Sequence, residues 1–533
     1  MRLDISAKWV DKHLLILLIL LLSGFISFGQ KKQTLIPPDL DNYISKVLQT
    51  FEVPGMSVAI VKDGKVLLAK GFGVKTIGEQ SPIDAHTLFS IASNSKAFTT
   101  AALAILVEEG KIKWDDPVIK YLPWFKMSDP YVTNHLAIRD MLVHHSGLAA
   151  YSGDLLLFPP STFSRKEIVQ KIAGLPLVHD FRTTYAYDNV LYVTAGELVS
   201  EVSGMPWEDF IKTRIFDKIG MNESLSRFSE FKNQTNIATG HDRYDGKVQV
   251  IDHGMDIMIG DAGAPCGGIV TNATDIAKWL ITQLDSGRAP NKEKIFTPAS
   301  TKQLWKVVTP ISYGIIDEDL KPAQISLSGY ALAFHIYNYK QYKIVGHGGA
   351  LDGFVSQIAM VPDLNLGIAV FTNQESTGAY YSVIYHILDY FMKFPPFDWI
   401  SGYKNREDSG MARLKKRQQE NIILPAANTK LSLPLDKYAG VYKDKLIGEM
   451  SITNEKDDMV LRFEQSPQLV ADLKHFQYDT FIAHFRNKGF KADSYVTFSL
   501  HPDGSIDEVK MKVIDPDSDL DFDSLLFKPI KNK

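Results

Sequence analysis

Ser93-Asn94-Ser95-Lys96-Ala97-Phe98-Thr99-Thr100-Ala101-Ala102-Leu103-Ala104-Ile105-Leu106-Val107-Glu108-Glu109 is the stretch on which the fold turns. It has no helix-breaking residue before Gly110, which marks the stop. Phe98, Ala101, Leu103, Ile105 and Leu106 surround much of the helix rather than lining one stripe, so the spacing predicts a central, buried helix from about Ser93 to Glu109. At its start Ser93 and Lys96 stand three apart and share one face. A serine hydroxyl is a poor nucleophile until something takes its proton. A lysine can take it where desolvation or nearby positive charge keeps the amine neutral. The backbone N–H groups of a helix start favour a developing oxyanion. The same S-x-x-K spacing recurs at Ser229–Lys232 and Ser401–Lys404, but only Ser93 opens a long apolar helix.

Outward from this helix, Met56–Val61 and Val66–Ala69 flank Lys62-Asp63-Gly64, the pattern of a tight β-hairpin. A helix precedes it at Leu40–Phe51, and helical patterns follow at Ile138–Val143, Val190–Val202 and Thr274–Leu284. Strand-like runs return at Ala331–Tyr337, Lys343–Val345, Phe354–Val361 and Leu366–Phe371, before a helix at Tyr380–Phe391. Strands at both ends with helices between predict an α/β (α+β) domain. The terminal strands join in one antiparallel sheet flanked by helices, and the middle forms a helical lobe.

Two further groups of residues carry chemistry. Tyr187-Asp188-Asn189 sits just before a helix; a phenol becomes a base when a cation such as Lys96 lowers its pKa, and Asn189 can both donate to and accept from an amide. Tyr403–Asn405 repeats that spacing by chance. His347-Gly348-Gly349-Ala350 occurs once, on a strand-like stretch. Paired glycines weaken a strand unless a backbone or ligand must come close, and a substrate running alongside would explain them.

The chain has 533 residues, 45% hydrophobic and 23% charged, with a formal net charge of -4; nothing in this balance points to nucleic acid as a partner. Cys266 is the single cysteine, which excludes an intrachain disulfide and a cysteine-rich metal site. Arg2, Lys8 and Lys12 precede the apolar run Leu14–Leu22, with Ser27 and Gly29 after it. This reads as a signal peptide over 1–29, too short for a comfortable span of about 20 residues, and predicts export; an uncleaved membrane anchor is the other reading. The main domain is expected over 30–401, a polar linker or solvated helix face over 402–430, and a small all-β domain over 431–533. In that last domain Val496, Phe498 and Leu500 alternate with polar residues, as do Val509, Met511 and Val513, around His501-Pro502-Asp503-Gly504.

The three groups, in this order, resemble those of the serine β-lactamases of the class C kind and the related D,D-peptidases, D-aminopeptidases and esterases. Ile138-Arg139-Asp140-Met141-Leu142-Val143-His144-His145-Ser146-Gly147-Leu148 and Ala264-Pro265-Cys266-Gly267-Gly268-Ile269-Val270 also resemble segments of that family, and the likeness covers roughly Leu40 to Phe391. Tyr438-Ala439-Gly440-Val441-Tyr442 resembles the lipocalin-like antiparallel β-barrel appended to some of these hydrolases. The resemblance implies that Ser93 attacks a carbonyl to form an acyl-enzyme, with Lys96 and Tyr187 sharing the proton and either one serving as base. It implies that Asn189 holds the substrate amide, that the N–H groups of Ser93 and Ala350 form an oxyanion hole, and that His347, Gly348 and Gly349 line the substrate. No metal or cofactor is implied. The implied partner is a small-molecule or peptide substrate; a homo-oligomer is compatible, and no membrane span is expected after signal cleavage. One departure matters: β-lactamases and D,D-peptidases usually carry lysine where His347 stands. A histidine is mostly neutral at pH 7, which tilts the expectation toward an esterase, amidase or peptidase and away from efficient β-lactam hydrolysis. It also predicts that carboxylate binding weakens as pH rises through the His347 pKa. A β-lactamase, a D,D-carboxypeptidase and a non-catalytic sensor of β-lactams or cell-wall peptides are the alternatives.

Overall fold

The computed structural model describes residues 35–530 apart from 245, 252–258, 313–316, 456–457, 517 and 519. The expected signal peptide lies outside the described residues. Eight strands build the main sheet: β1 (Gly55–Lys62), β2 (Lys65–Gly73), β3 (Thr309–Pro310), β4 (Ser328–Tyr330), β5 (His335–Tyr339), β6 (Tyr342–Leu351), β7 (Phe354–Val361) and β8 (Leu366–Thr372). Their order is β2-β1-β8-β7-β6-β5-β4-β3, and every pairing is antiparallel. The terminal strands do meet, with Val58 opposite Val370. The β1–β2 hairpin turns through Asp63 and Gly64, both at positive φ (52° and 72°), as a two-residue hairpin of opposite-handed turn requires.

Period-two alternation sorts the central strands between two cores. Met56, Val58 and Ile60 of β1, with Ile368 and Val370 of β8, face helices α1 (Leu40–Phe51) and α5 (Thr377–Met392). Ala59 and Val61, with Ala369 and Phe371, face the other core, which continues into the helical lobe. That lobe is organised around α2 (Lys96–Glu108), buried at every residue from Lys96 to Leu106. Phe98 stacks on Trp279 of α4 (Ala273–Leu284), and α3 (Asn189–Ser203) packs alongside. Two boundaries differ from the sequence reading. Ser93 lies in a 3₁₀ turn, Ala92–Ser95, that leads into α2 rather than in the α-helix itself. The apolar run expected as a strand from Ala331 is a buried turn up to Phe334, closed by the Ala331 N–H on the Phe334 carbonyl (2.8 Å) with Ala333 at φ 70°. The run is apolar because the turn is buried, a cause that period alone cannot separate from a strand.

The polar stretch after Gly402 is helical: α6 (Trp399–Glu420) buries Trp399, Ile400 and Tyr403 against α5 and leaves its later turns in solvent. The C-terminal eight strands run β9 (Gly440–Asp444), β10 (Gly448–Glu455), β11 (Asp458–Phe463), β12 (Ser466–Gln477), β13 (Thr480–Phe485), β14 (Ser494–Leu500), β15 (Ile506–Val513) and β16 (Lys528–Pro529). From β9 to β15 each neighbours the next, and β16 returns to pair with β9. Phe527, just before β16, exchanges both backbone hydrogen bonds with Val509 of β15 and all but closes the barrel. The barrel docks on the main domain at several points. The Thr162 N–H donates to the Gln465 carbonyl (2.8 Å), Lys491 pairs with Asp242 (3.4 Å), and the Gln418 amide of α6 donates to Asp515 (3.0 Å).

Candidate active site

The Ser93 turn is built by its neighbours. Ser356 of β7 donates its hydroxyl to the Ile91 carbonyl (2.8 Å) and accepts from the Asn94 amide (2.8 Å), pinning both sides of Ser93 to the sheet. The Ile91 N–H donates to the Ile269 carbonyl (3.1 Å), and the Ser95 hydroxyl accepts from the Ile269 N–H (2.9 Å). Ala92 is held at φ 46°, unusual for a residue with a side chain, which is a local cost the surrounding contacts must hold in place. Ser93 itself stays partly exposed while its neighbours are buried.

Lys96 lies one turn on, fully buried. Its Nζ donates to Ser93 Oγ (3.0 Å), Asn189 Oδ1 (2.7 Å) and the Cys266 carbonyl (2.8 Å). Burial brings its amine down to about 8, against the smaller opposing pull of the Cys266 thiol and the Asp154 carboxylate. The Tyr187 ring stands over the same nitrogen, 4.8 Å to its centroid. Burial holds its phenol protonated, well above the ordinary range, although the Ser93 hydroxyl draws the pKa of that phenol down. Ser93, Lys96, Tyr187 and Asn189, far apart in the chain, thus converge on one point.

Asn189, expected to hold a substrate amide, is engaged at both ends. Its oxygen accepts from Lys96, and its nitrogen donates to Asp154 Oδ2 (2.8 Å). His347, Gly348 and Gly349 lie on β6, which passes the Ser93 turn. A Cβ on Gly349 would lie 2.2 Å from the Ile91 carbonyl oxygen and 3.1 Å from the Ser93 nitrogen. The Ser93 turn comes close there. At Gly348 a Cβ would meet only the Gln357 side chain, at 2.9 Å. Ala350, next along β6, is exposed at the rim.

His347 corrects the pH expectation. It is buried; its Nδ1–H donates to the Gly348 carbonyl and its Nε2 accepts from the Tyr330 hydroxyl (2.9 Å). Desolvation, then the fields of His335 and Lys96, push its pKa well below 6.5, which favours the neutral ring. His144 supports the site from behind: its Nδ1 accepts the Asp188 N–H (3.0 Å) and its ring lies 4.4 Å from that of Tyr187. His241 accepts the Ile77 N–H (3.0 Å) and bonds the Asn373 carbonyl (2.8 Å), a structural role. Cys266 contributes its carbonyl; burial lifts its thiol to about 11, which leaves it inert. Asp154, Tyr330, His335 and Ser356 carry no sequence motif, and only the fold brings them to the site. The S-x-x-K decoys fall elsewhere: Ser229 bonds Asp261 (2.6 Å), and Lys404 pairs with Asp408. Among the described residues no group of three or more His, Cys, Asp or Glu is placed to hold a metal ion.

The profile of the β-lactamase family matches residues 40–389, the stretch that carries the sheet, the helical lobe and all of these side chains. The chain belongs to the β-lactamase family. A domain of unknown function (DUF3471) matches residues 424–529, the barrel and the segment leading into it. Unguisins hydrolase ungD' of Aspergillus campestris is 27% identical over 488 residues, 88% of each chain, so the likeness extends beyond the main domain. The octameric penicillin-binding protein homologue of Pyrococcus abyssi superposes with a TM-score of 0.57 at 22% identity, covering 92% of this chain and 99% of that one. The D-amino acid amidase of Ochrobactrum anthropi gives 0.53 at 22% identity over 67% of this chain and 99% of its own. For this β-lactamase-family hydrolase the two superpositions carry the fold.

Proposed function

We propose that this chain is an exported serine hydrolase that cleaves an ester or amide, peptides of D-amino acids included, through an acyl-enzyme on Ser93. The observation that carries the reading is the fully buried Lys96 amine, 3.0 Å from Ser93 Oγ and lowered to about 8. A neutral amine there accepts the Ser93 proton as Oγ bonds to the carbonyl carbon. The oxyanion falls to the N–H groups of Ser93 and Ala350. Tyr187, held as a phenol, passes its proton to the leaving alcohol or amine as the C–O or C–N bond breaks, and recovers one from Lys96. Water then adds to the acyl carbon and releases Ser93 and the acid. Lys96 is therefore the base and Tyr187 the proton donor, since a phenol kept protonated cannot accept.

The neutral His347 bears on the substrate. Both of its nitrogens are committed within the protein, so it offers no cation to a substrate carboxylate. This favours esters, amides and internal peptide bonds over substrates with a free carboxylate beside the scissile bond. The D-amino acid amidase among the structural neighbours fits the same class. Export rests on the basic and then apolar N-terminus. Intact-mass analysis after exposure to a fluorophosphonate, a p-nitrophenyl ester, a D-amino-acid amide and a penicillin tests the reading. A Ser93 adduct, lost in Ser93→Ala, with turnover of ester or amide is expected. Turnover that survives Ser93→Ala would discard it.

A further inference from the structure

Asn189 is the hinge of the site's hydrogen bonding, and one of its two ends is held by a residue outside every motif. Asp154 sits in a short 3₁₀ turn, Asp154–Leu156, on the loop between the Ile138–Leu142 helix and α3. Its Oδ2 accepts the Asn189 amide (2.8 Å), while the Asn189 oxygen accepts from Lys96 (2.7 Å). An amide can flip, and here the two partners decide its sense: a carboxylate only accepts, so Nδ2 must face Asp154 and Oδ1 must face Lys96. The sense matters chemically. Flipped, Nδ2–H would donate into the lone pair of a neutral Lys96, the same lone pair that must take the proton of Ser93. Correctly set, the oxygen accepts one Lys96 N–H and leaves that lone pair to the hydroxyl 3.0 Å away.

We infer that Asp154 is a positioning residue of the reaction, fixing the Asn189 amide so that the Lys96 lone pair is kept for the Ser93 proton. The inference rests on the acyl-enzyme reading of Ser93. It also assigns the loop around Asp154 a part in catalysis: Tyr151, three residues before, lies against the Tyr187 ring at 5.6 Å, so the loop touches both halves of the proton path. A second consequence concerns charge. The titratable groups around Lys96 are the Cys266 thiol, Asp154, Tyr187, Tyr192, His144 and His347. Burial raises the thiol and both phenols and lowers both imidazoles, and Asp154 is the carboxylate in this set. Its field favours protonated Lys96. Removing that charge therefore makes the amine give up its proton at lower pH.

The full chain is the material for the test. Wild type, Asp154→Asn and Asp154→Ala are reacted with a fluorophosphonate from about pH 6 to pH 10, and the second-order rate of Ser93 adduct formation is followed by intact mass. Asp154→Asn keeps an acceptor oxygen for the Asn189 amide and loses only the charge; its plateau rate should stay near wild type while the rise with pH moves to lower pH. Asp154→Ala loses the acceptor, and its plateau should fall on the order of tenfold to a hundredfold. Wild-type midpoints in Asp154→Asn, or a plateau in Asp154→Ala equal to wild type, would overturn the inference, and so would a loss in Asp154→Ala that Asp154→Asn does not restore. Should Asp154→Ala fail to fold, the midpoint of Asp154→Asn decides by itself. An unlabelled Ser93 in wild type would instead bring down the functional reading, and that result comes before any variant is compared.

Discussion

The Cα of Gly349 stands so close to the turn before Ser93 that a methyl group on it would reach within 2.2 Å of the Ile91 carbonyl oxygen. One backbone is thereby pressed against another beside Ser93 and Ala350, the two residues whose N–H groups are proposed for the oxyanion hole. Gly349→Ala must push β6 and the Ser93 turn apart. It is expected to cost about 1–3 kcal/mol of stability, as overpacking does, and to lower kcat/KM on the order of a hundredfold or more, as loss of an oxyanion donor does. Gly348→Ala meets only a side-chain end and should be far milder; equal kinetics for the two variants would sink this account.

Lys96 governs the response to pH. With its amine near 8 and Tyr187 kept as a phenol, kcat/KM for a neutral ester should rise from pH 6 and level off above about 8. Lys96→Met should lose on the order of a hundredfold to ten-thousandfold in acylation rate and lose the rise. A rate that falls across this interval would assign the proton to another group.

Three imidazoles, His144, His335 and His347, are held neutral by burial, His335 down to about 4. Their folded pKa values lie below the unfolded value of 6.5, so the unfolded chain binds protons first as pH falls. The stability they contribute is present above pH 6.5 and is lost as pH drops toward 4. The midpoint of thermal unfolding should fall over that window, and His335→Gln should flatten the fall. The same burial keeps His347 from supplying a titrating cation, so His347→Gln should leave the pH dependence of carboxylate binding unchanged; titration calorimetry at several pH values checks it.

Ser356 is the clamp beneath the Ser93 turn. Its hydroxyl donates to the Ile91 carbonyl and accepts from Asn94, all within the buried interior. Ser356→Ala takes the acceptor from the buried Asn94 amide and one of two donors from the Ile91 carbonyl, which keeps the Asn94 N–H (3.1 Å), and should cost about 1–3 kcal/mol. The acylation rate should fall with it, measured beside thermal unfolding; an unchanged rate would show that the turn keeps its shape without the clamp.

The order of elements was legible in the residues because each signal is local. The Asp63-Gly64 turn needs two residues at positive φ, the helix from Lys96 is apolar all round, and β7 and β8 were read within a residue of their ends. Ser93, Lys96, Tyr187 and His347 could be picked out as well, because their chemistry is rare and sits at element boundaries. The polar stretch now seen as α6 was ambiguous for the opposite reason: only its first turns are buried, so its later residues carry no core-facing period.

Distance in space, charge state and direction of approach belonged to the tertiary structure. A sequence can name a histidine but cannot say that Tyr330 and the Gly348 carbonyl occupy both its nitrogens, nor that a lysine is dry enough to become a base. Asp154 lies 35 positions before Asn189 in a loop without a motif, and only folding puts its carboxylate against that amide. Local propensity and pattern reach a few residues along the chain; desolvation and hydrogen bonding act through space, on whatever groups packing brings together.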